Sequence, residues 1–568
     1  MATTTISSSD AERPPVATGG DSPTPSRAVE SRDPATGEVW RLYGATTREE
    51  VFTAVAHARE AQKGWAAEPL AVRVRTLRRF HELLYDRRHE VAGLLTRENG
   101  KPATEALSTE IAVALDVARY YAERAPEFLR APWFRAAPLA MKRKRVRIAH
   151  EPWGVIGVIS PWNYPFFLPA ANVLPALVTG NAVVLKPSEY APTTGALLAE
   201  LLADAGVRDG VLTLIQGDGS AGAALCDAGV DKLFFTGSVA TGRKVAVRCA
   251  ERLIPCTLEL GGSDAAIVLA DADVRHAASG IAWGRFSNAG QTCVAPKRVF
   301  VEEPAYDAFV SALSEVVRAL RVGPGSTGEH DVGPLIRPEA ARTLLAQRDD
   351  AVSSGATVIE GAAPVWGATP AAGAASAADA ASAAPSAAAS AESAARGFVT
   401  PTVLLDVPVD SRVLTEETFG PLLPVVKVRD ADEAIARANA SEFGLAASIW
   451  TRDIARAARL AERLEAGAVT INDALVSAGM ADVPHGGVKH SGIGRAHGMA
   501  GLAECVRIKA TVADQFVAWR QAWWFGYGSA HAAGIDAFVR LAHGRRTLER
   551  LAAIPAFLRL LFAPRRPV

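Results

Sequence analysis

The stretch WGVIGVISPWNYPFFLPAANVLPALVTGNAVVLKP, residues 153–187, reads as strand, turn, helix and strand. Its end segments are short, rich in β-branched residues and apolar, the pattern of strands covered on both faces. The alternation continues through TTGALLAELLADAG (193–206), VLTLIQG (211–217), SAGAALCDAG (220–229), KLFFTGS (232–238) and ATGRKVAVRCAERL (240–253). Repeated strand–helix–strand units predict an α/β fold, a parallel sheet with helices on both faces. In such sheets ligands bind beyond the carboxyl ends of the strands. A second α/β texture runs from Ala265 to Ala468.

The flanks carry less pattern. Residues 1–30 are rich in Ser, Thr, Pro and Ala and lack the basic and apolar regions of a secretory signal, so disorder is expected there. DPATGEVW (33–40) reads as strand and turn, and TREEVFTAVAHAREAQKGWAA (47–67) as a helix behind a Thr N-cap. Helical text then extends to Phe134, followed by MKRKRVRIAHEP (141–152), which alternates basic and apolar residues as a strand with one exposed face does. A solvated edge strand and a subunit-contact strand both fit it. Residues 361–397, dominated by Ala with Ser, Gly and Pro, read as a flexible insertion. Beyond Asp514 the chain turns basic and amphipathic, ending in IPAFLRLLFAPRRPV (554–568).

Bulk properties narrow the function. A chain of 568 residues requires more than one domain, and 49% apolar with 21% charged residues is the balance of a globular protein. Lys+Arg and Asp+Glu both number 61, which argues against nucleic acid as a partner. The five widely spaced cysteines make neither a disulfide framework nor a zinc site, and reduced thiols point to a cytoplasmic protein. No run of eighteen apolar residues offers a membrane span.

Four stretches carry chemistry. SPWNYP (160–165) sets the Asn163 amide among bulky neighbours after an apolar strand. FTGSVATG (235–242) puts Gly237 and Ser238 at a helix start, suited to a phosphate, with Gly242 permitting close approach. LELGGSD (258–264) places Glu259 in an apolar strand, where a raised pKa would suit a general base. SNAGQTCVAP (287–296) presents Cys293 between small residues. The last three also have ordinary structural readings: a common Gly-rich helix start, a paired or exposed glutamate, a small buried cysteine. Together they supply a nucleophile, an amide donor, a base and a phosphate site, the parts of covalent acyl chemistry.

In that order these segments resemble the signature segments of the NAD(P)-dependent aldehyde dehydrogenase superfamily, from DPATGEVW through VPHGGVKHSGIGRAHG (483–498) to about residue 514. IAWGRFSNAGQTCVAP (281–296) and LIPCTLELGG (253–262) look most like the class 3 and fatty aldehyde branch. The resemblance implies a Rossmann-type parallel-sheet cofactor domain (31–140 and 153–263), an α/β catalytic domain (264–480) and a β oligomerisation arm (141–152 and 500–514), with residues 515–568 an extension. It implies that Cys293 attacks the aldehyde to form a thiohemiacetal and then a thioester. Asn163 holds the oxyanion, a donor typically worth about 3 kcal/mol, and Glu259 activates the hydrolytic water. For the cofactor it implies Lys186 and Glu189 at the adenosine ribose, Ser238 at the pyrophosphate, Trp162 alongside, and Glu417 with Phe419 (EETFGP, 416–421) at the nicotinamide side. A carboxylate at Glu189 favours NAD, with NADP left open. Residues Ser263 and His485 stand where many relatives have lysine and phenylalanine. The resemblance further implies a homodimer or homotetramer. A CoA-acylating enzyme, a non-catalytic member of the fold and a cofactor-independent esterase are the competing readings, and Glu259 with Cys293 and Asn163 argues against the first two. The Trp- and Arg-rich tail suggests peripheral membrane contact, against packing on the protein itself.

Overall fold

The computed structural model describes residues 28–138, 141–365, 392–515, 521, 523–525 and 527–562. The stretch read as disordered therefore lies almost wholly outside the described residues, as does most of the Ala-rich insertion. One boundary differs. Strand Ala28–Arg32 begins inside that N-terminal stretch and pairs antiparallel with Val39–Gly44, its Val29 and Ser31 turned inward.

The chain forms two compact units, Met1–Ala125 with Pro152–Cys505, and Pro126–Glu151 with Val506–Val568. The first is built on two sheets. Its six-stranded sheet runs Gly492–Ile493, Cys256–Glu259, Lys232–Thr236, Val155–Ile159, Ala182–Lys186, Leu212–Leu214. All neighbours are parallel except Gly492–Ile493, which meets Glu259 and Leu258 antiparallel. Every residue of Val155–Ile159 and Ala182–Lys186 is buried, because helices cover both faces. From Val155–Ile159 the chain winds outward through two strands, then crosses back to Lys232–Thr236 on the other side. This reversal leaves a crevice beyond Ile159 and Thr236, where open α/β sheets bind ligands.

The seven-stranded sheet runs Thr357–Glu360, Thr402–Leu405, Leu422–Val428, Pro296–Glu302, Asp264–Val268, Ala446–Trp450, Ala468–Ile471. It is parallel except at Thr357–Glu360. Helices Val274–Phe286 and Glu303–Ala319 fill one face with Ile281, Phe286, Phe309 and Leu313. Only Leu260–Ser263 separates the end of strand Cys256–Glu259 in the first sheet from the start of Asp264–Val268 in the second. Cys293 precedes strand Pro296–Glu302, whose Pro296 pairs with Asp264. The two sheets thus present Glu259 and Cys293 to the same seam.

In the second unit, strands Trp133–Arg135, Lys144–Pro152 and Val506–Asp514 form a three-stranded sheet. The helical text expected up to Phe134 stops earlier. Helix Ala112–Phe128 carries Pro126 in its last turn, and Trp133–Arg135 then pairs antiparallel with Arg145–Arg147. Helices Ser529–His543 and Thr547–Phe562 form a hairpin, with Phe538 against Phe557 (ring centroids 5.5 Å apart) and Gly534 under Leu560.

Candidate active site

Cys293 follows a strained turn. Asn288 and Ala289 sit at φ 50° and 53°, a conformation that costs non-glycine residues energy and persists only when the surroundings impose it. Here they do. The Asn288 amide N–H donates to buried Glu105, its side chain donates to the Asn163 carbonyl (2.8 Å), and Gln291 Nε2 donates back to the Asn288 carbonyl at 2.9 Å. Asn163 Nδ2 donates to the Gln291 carbonyl at 3.0 Å, two residues before the cysteine, while its Oδ1 has no protein partner. Residues 163 and 293, far apart in sequence, are thus tied through one turn.

Beneath this turn lies a charged pair that sequence reasoning missed. Lys101 Nζ donates to Glu110 at 2.6 Å and to the Asn163 carbonyl at 3.0 Å, and both side chains are fully buried. The second Glu110 oxygen accepts the Phe166 and Phe167 amides (2.9 and 3.0 Å), capping helix Phe167–Val178. Breaking such a pair typically costs about 3–5 kcal/mol, because the surviving charge stays buried. Nearby Glu105 is pushed up to about 7, by burial before any charge effect.

A second lysine, Lys297, locks the cysteine backbone. It is buried and donates to the Thr292 and Cys293 carbonyls at 3.0 and 2.5 Å, with Glu417 at 3.7 Å. Burial lowers its pKa, with Glu417 opposing. Glu417 in turn accepts the Gly262 amide at 3.0 Å, and at Gly261 a Cβ would lie 2.1 Å from its carboxylate, so a larger residue there would displace the Glu417 side chain. Arg285 is buried with no carboxylate partner among the described residues; it donates to the Thr418, Gly420 and Leu422 carbonyls and so fixes the loop carrying Glu417 and Phe419. Phe419 meets Trp162 edge-on, with ring centroids 5.5 Å apart.

Cys293 and Glu259 line one cavity, together with Leu168, Asn172, Leu445, His485 and His497. The Cys293 thiol is pushed up to about 12, by burial first and then by Asp264, Glu417 and Glu259, with Lys297 opposing. Burial likewise drives the Glu259 carboxyl well above its usual range, Glu504 adding and Arg495 opposing. Both acids therefore hold their protons more tightly than in water.

The remaining predicted residues lie beyond the sheet's carboxyl ends. Ser238 caps helix Val239–Glu251, accepting the Thr241 amide at 3.3 Å, and this helix start is largely exposed, as an anion site must be. Gly237 lies under the Phe235 ring, and Gly242 packs against Leu260, which a Cβ would meet at 2.4 Å. Gly242 therefore brings the helix close to the strand behind Glu259 rather than facing solvent. Lys186 pairs with Glu189 at 3.3 Å on the outer side of the crevice.

Among the described residues no helix is long and apolar enough to cross a membrane, no His, Cys, Asp and Glu cluster suits a metal ion, and all five cysteines are free.

Residues 22–377 and 373–511 match the aldehyde dehydrogenase family. The chain is 37% identical to a 4,4'-diapolycopene aldehyde oxidase from Methylomonas sp., over 88% of this chain and 90% of that one. It is also 37% identical to an NADP⁺ succinate-semialdehyde dehydrogenase from Deinococcus radiodurans, over 84% and 94%. Among solved structures it resembles the NAD⁺ complex of an aldehyde dehydrogenase from Bacillus cereus, with TM-score 0.77, 33% identity and 86% and 94% coverage. With this fold and these relatives, the chain belongs to the aldehyde dehydrogenase family and is an oxidoreductase acting on aldehydes.

Proposed function

We propose that this enzyme oxidises its aldehyde to the carboxylic acid through a covalent adduct on Cys293, hydrolysed by water that Glu259 activates. The observation that carries this reading is the shared cavity of Cys293 and Glu259, with the Asn163 amide directed at the Cys293 turn. The Cys293 sulfur adds to the aldehyde carbon, and Asn163 Nδ2 together with the Cys293 amide meets the developing oxyanion. The nicotinamide, when bound, supplies the hydride acceptor. Glu259 then takes a proton from water as it attacks the thioester, the C–S bond breaks, and Cys293 leaves as thiolate. A CoA-acylating enzyme would hand the acyl group to a thiol and would not need the buried carboxyl at 259. Replacing Asn163 by alanine should lower kcat/KM by about 10²- to 10³-fold with little change in cofactor affinity. A variant within a few-fold of the parent would remove Asn163 from the oxyanion site.

The cofactor residues fit a dinucleotide. The exposed helix start behind Gly237 and Ser238 suits the pyrophosphate, and Lys186 with Glu189 the adenosine ribose. Trp162, Phe419 and Glu417 suit the nicotinamide side. Gly242 contributes by helix packing. Glu189 disfavours a 2′-phosphate, so NAD is the preferred form. Reduced-cofactor formation from NAD⁺ and NADP⁺, across short and long aliphatic, polyene, aromatic and semialdehyde substrates, tests the reading. No turnover on any class would overturn it.

Two further readings concern the second unit. The exposed Ile148, Ile508 and Val512 on its sheet suit assembly into a homodimer or homotetramer; a monomer by sedimentation would exclude this. In helix Thr547–Phe562, Leu548, Leu551, Leu558 and Leu561 are exposed among Arg546, Arg550 and Arg559, a composition suited to an anionic membrane surface. Failure to bind anionic vesicles, with and without residues 515–568, would exclude that. Five free thiols suit a reducing, cytoplasmic setting.

A further inference from the structure

The wall of the cavity facing Glu259 is built from two stacked imidazoles. His485 and His497 have ring centroids 5.4 Å apart with planes inclined at 27°. Both are more than nine-tenths buried. His485 Nε2 lies 3.9 Å from Glu259 Oε2, too far for a direct hydrogen bond and close enough for one water to contact both groups. Four polar atoms here have no hydrogen-bond partner among the described residues: both Glu259 oxygens and both His497 nitrogens. The Ala496 amide, which faces the carboxylate, is already committed to the His485 carbonyl at 2.7 Å. Orphaned polar atoms in a buried site call for a ligand, since each otherwise costs about 1–3 kcal/mol.

The scaffold points the same way. His497 holds a positive φ of 56°, uncommon outside glycine, at the start of helix Gly498–Glu504. Phe167, from the helix that Glu110 caps, packs on His497 from the other side at 5.4 Å. Other charged neighbours are few. Arg495 is occupied by the Gly487 and Gly494 carbonyls (2.9 and 2.7 Å), and Glu504 by Lys232 and Thr257. Cys293 lines the same cavity as the rings, as does Asn172 from helix Phe167–Val178.

We propose that His485, braced by His497, holds the hydrolytic water against Glu259 and is a positioning residue for thioester hydrolysis. The inference rests on the Cys293 and Glu259 roles proposed above. Burial, with Arg495 adding, lowers His485 to about 4 and so keeps its ring neutral, with one nitrogen donating and the other accepting. A neutral ring orients a water without competing for the Glu259 proton. In the step itself the water oxygen bonds to the thioester carbon and its proton passes to Glu259. The C–S bond then breaks, the Glu259 proton passes to the Cys293 thiolate, and the product acid ionises to solvent.

Rapid-mixing kinetics of H485F, H485L and H485Q test this, with aldehyde and saturating cofactor. For H485F the expected result is a stoichiometric burst of reduced cofactor at the parental rate. A steady rate about 10- to 100-fold below the parent should follow. H485Q, which keeps a donor and an acceptor, should recover most of the loss. Hydroxylamine, which attacks the thioester without needing an oriented water, should restore turnover in H485F. H485L is read the same way should the phenyl ring disturb the packing. Parental kcat in H485F and H485L, loss of burst and steady rate together, or a rise in KM alone would each overturn the proposal. Failure of the underlying mechanism looks different. It would show as parental turnover in E259Q or reduced-cofactor formation by C293A, whatever His485 does.

Discussion

Replacing Cys293 by alanine should lower aldehyde-dependent formation of reduced cofactor by on the order of 10⁵-fold, the scale seen when a covalent nucleophile is removed. The fold should survive, because Cys293 lines the cavity rather than the packed core and its backbone is held independently by Lys297 through the Thr292 and Cys293 carbonyls. Cofactor binding, followed by quenching of the buried tryptophans, should therefore stay near parental. Thiol alkylation would be a poor substitute for this experiment. Burial pushes the Cys293 thiol up, whereas the Cys256 thiol is lowered, chiefly by its interaction with Cys249 and also by Lys232. Iodoacetamide at neutral pH should mark the partly exposed Cys256 first, without reporting on the chemistry. Residual activity of C293A within about ten-fold of the parent would mean that the covalent route is not used.

How much of this was legible in the sequence depends on the range of the interaction. The Val155–Ile159 and Ala182–Lys186 strands announced themselves because burial on both faces demands unbroken apolar runs. The strand at Ala28–Arg32 did not, since an antiparallel pair with one buried face needs only Val29 and Ser31 turned inward. Among the site residues, Cys293, Asn163 and Glu259 stood out by their setting, as reactive groups at strand ends among small or apolar neighbours. Lys101, Glu110, Lys297 and Arg285 left no such mark. A buried charge looks like a surface charge until the fold supplies its partner, here Glu110 for Lys101 and three carbonyls for Arg285. The one local cue was Lys297 within APKR, at the start of strand Pro296–Glu302 and just ahead of its apolar residues 299–301. The His485–His497 stack was equally hidden, because eleven residues separate positions that the isolated Ala496–His485 bridge brings face to face.

Replacing Glu259 by glutamine should separate the two halves of the reaction. The amide keeps the size of the side chain and its place behind Gly486, but cannot take a proton from water. Hydride transfer should still give one burst of reduced cofactor, after which turnover should fall by about 10²- to 10⁴-fold, and the trapped acyl group should be recoverable from Cys293 by mass spectrometry. The pH dependence follows from the same burial. A carboxyl serves as a base only when ionised, and burial has raised the pKa of Glu259 well above the ordinary carboxylate range. Hydrolysis in the parent should therefore be lost as pH falls through that raised value and climb as pH rises through it, giving an alkaline optimum. The high thiol pKa pushes the acylation step in the same direction, because more thiolate forms as pH rises. The two limbs are separable, since burst rate follows Cys293 and steady rate follows Glu259. In E259Q the pH dependence of the burst should persist while that of the steady rate flattens. If E259Q instead kept the parental steady-rate profile, the group titrating in hydrolysis would have to be another buried acid at the seam. Asp264, raised to about 7 by burial and bearing two unpartnered oxygens, would be the residue to test next.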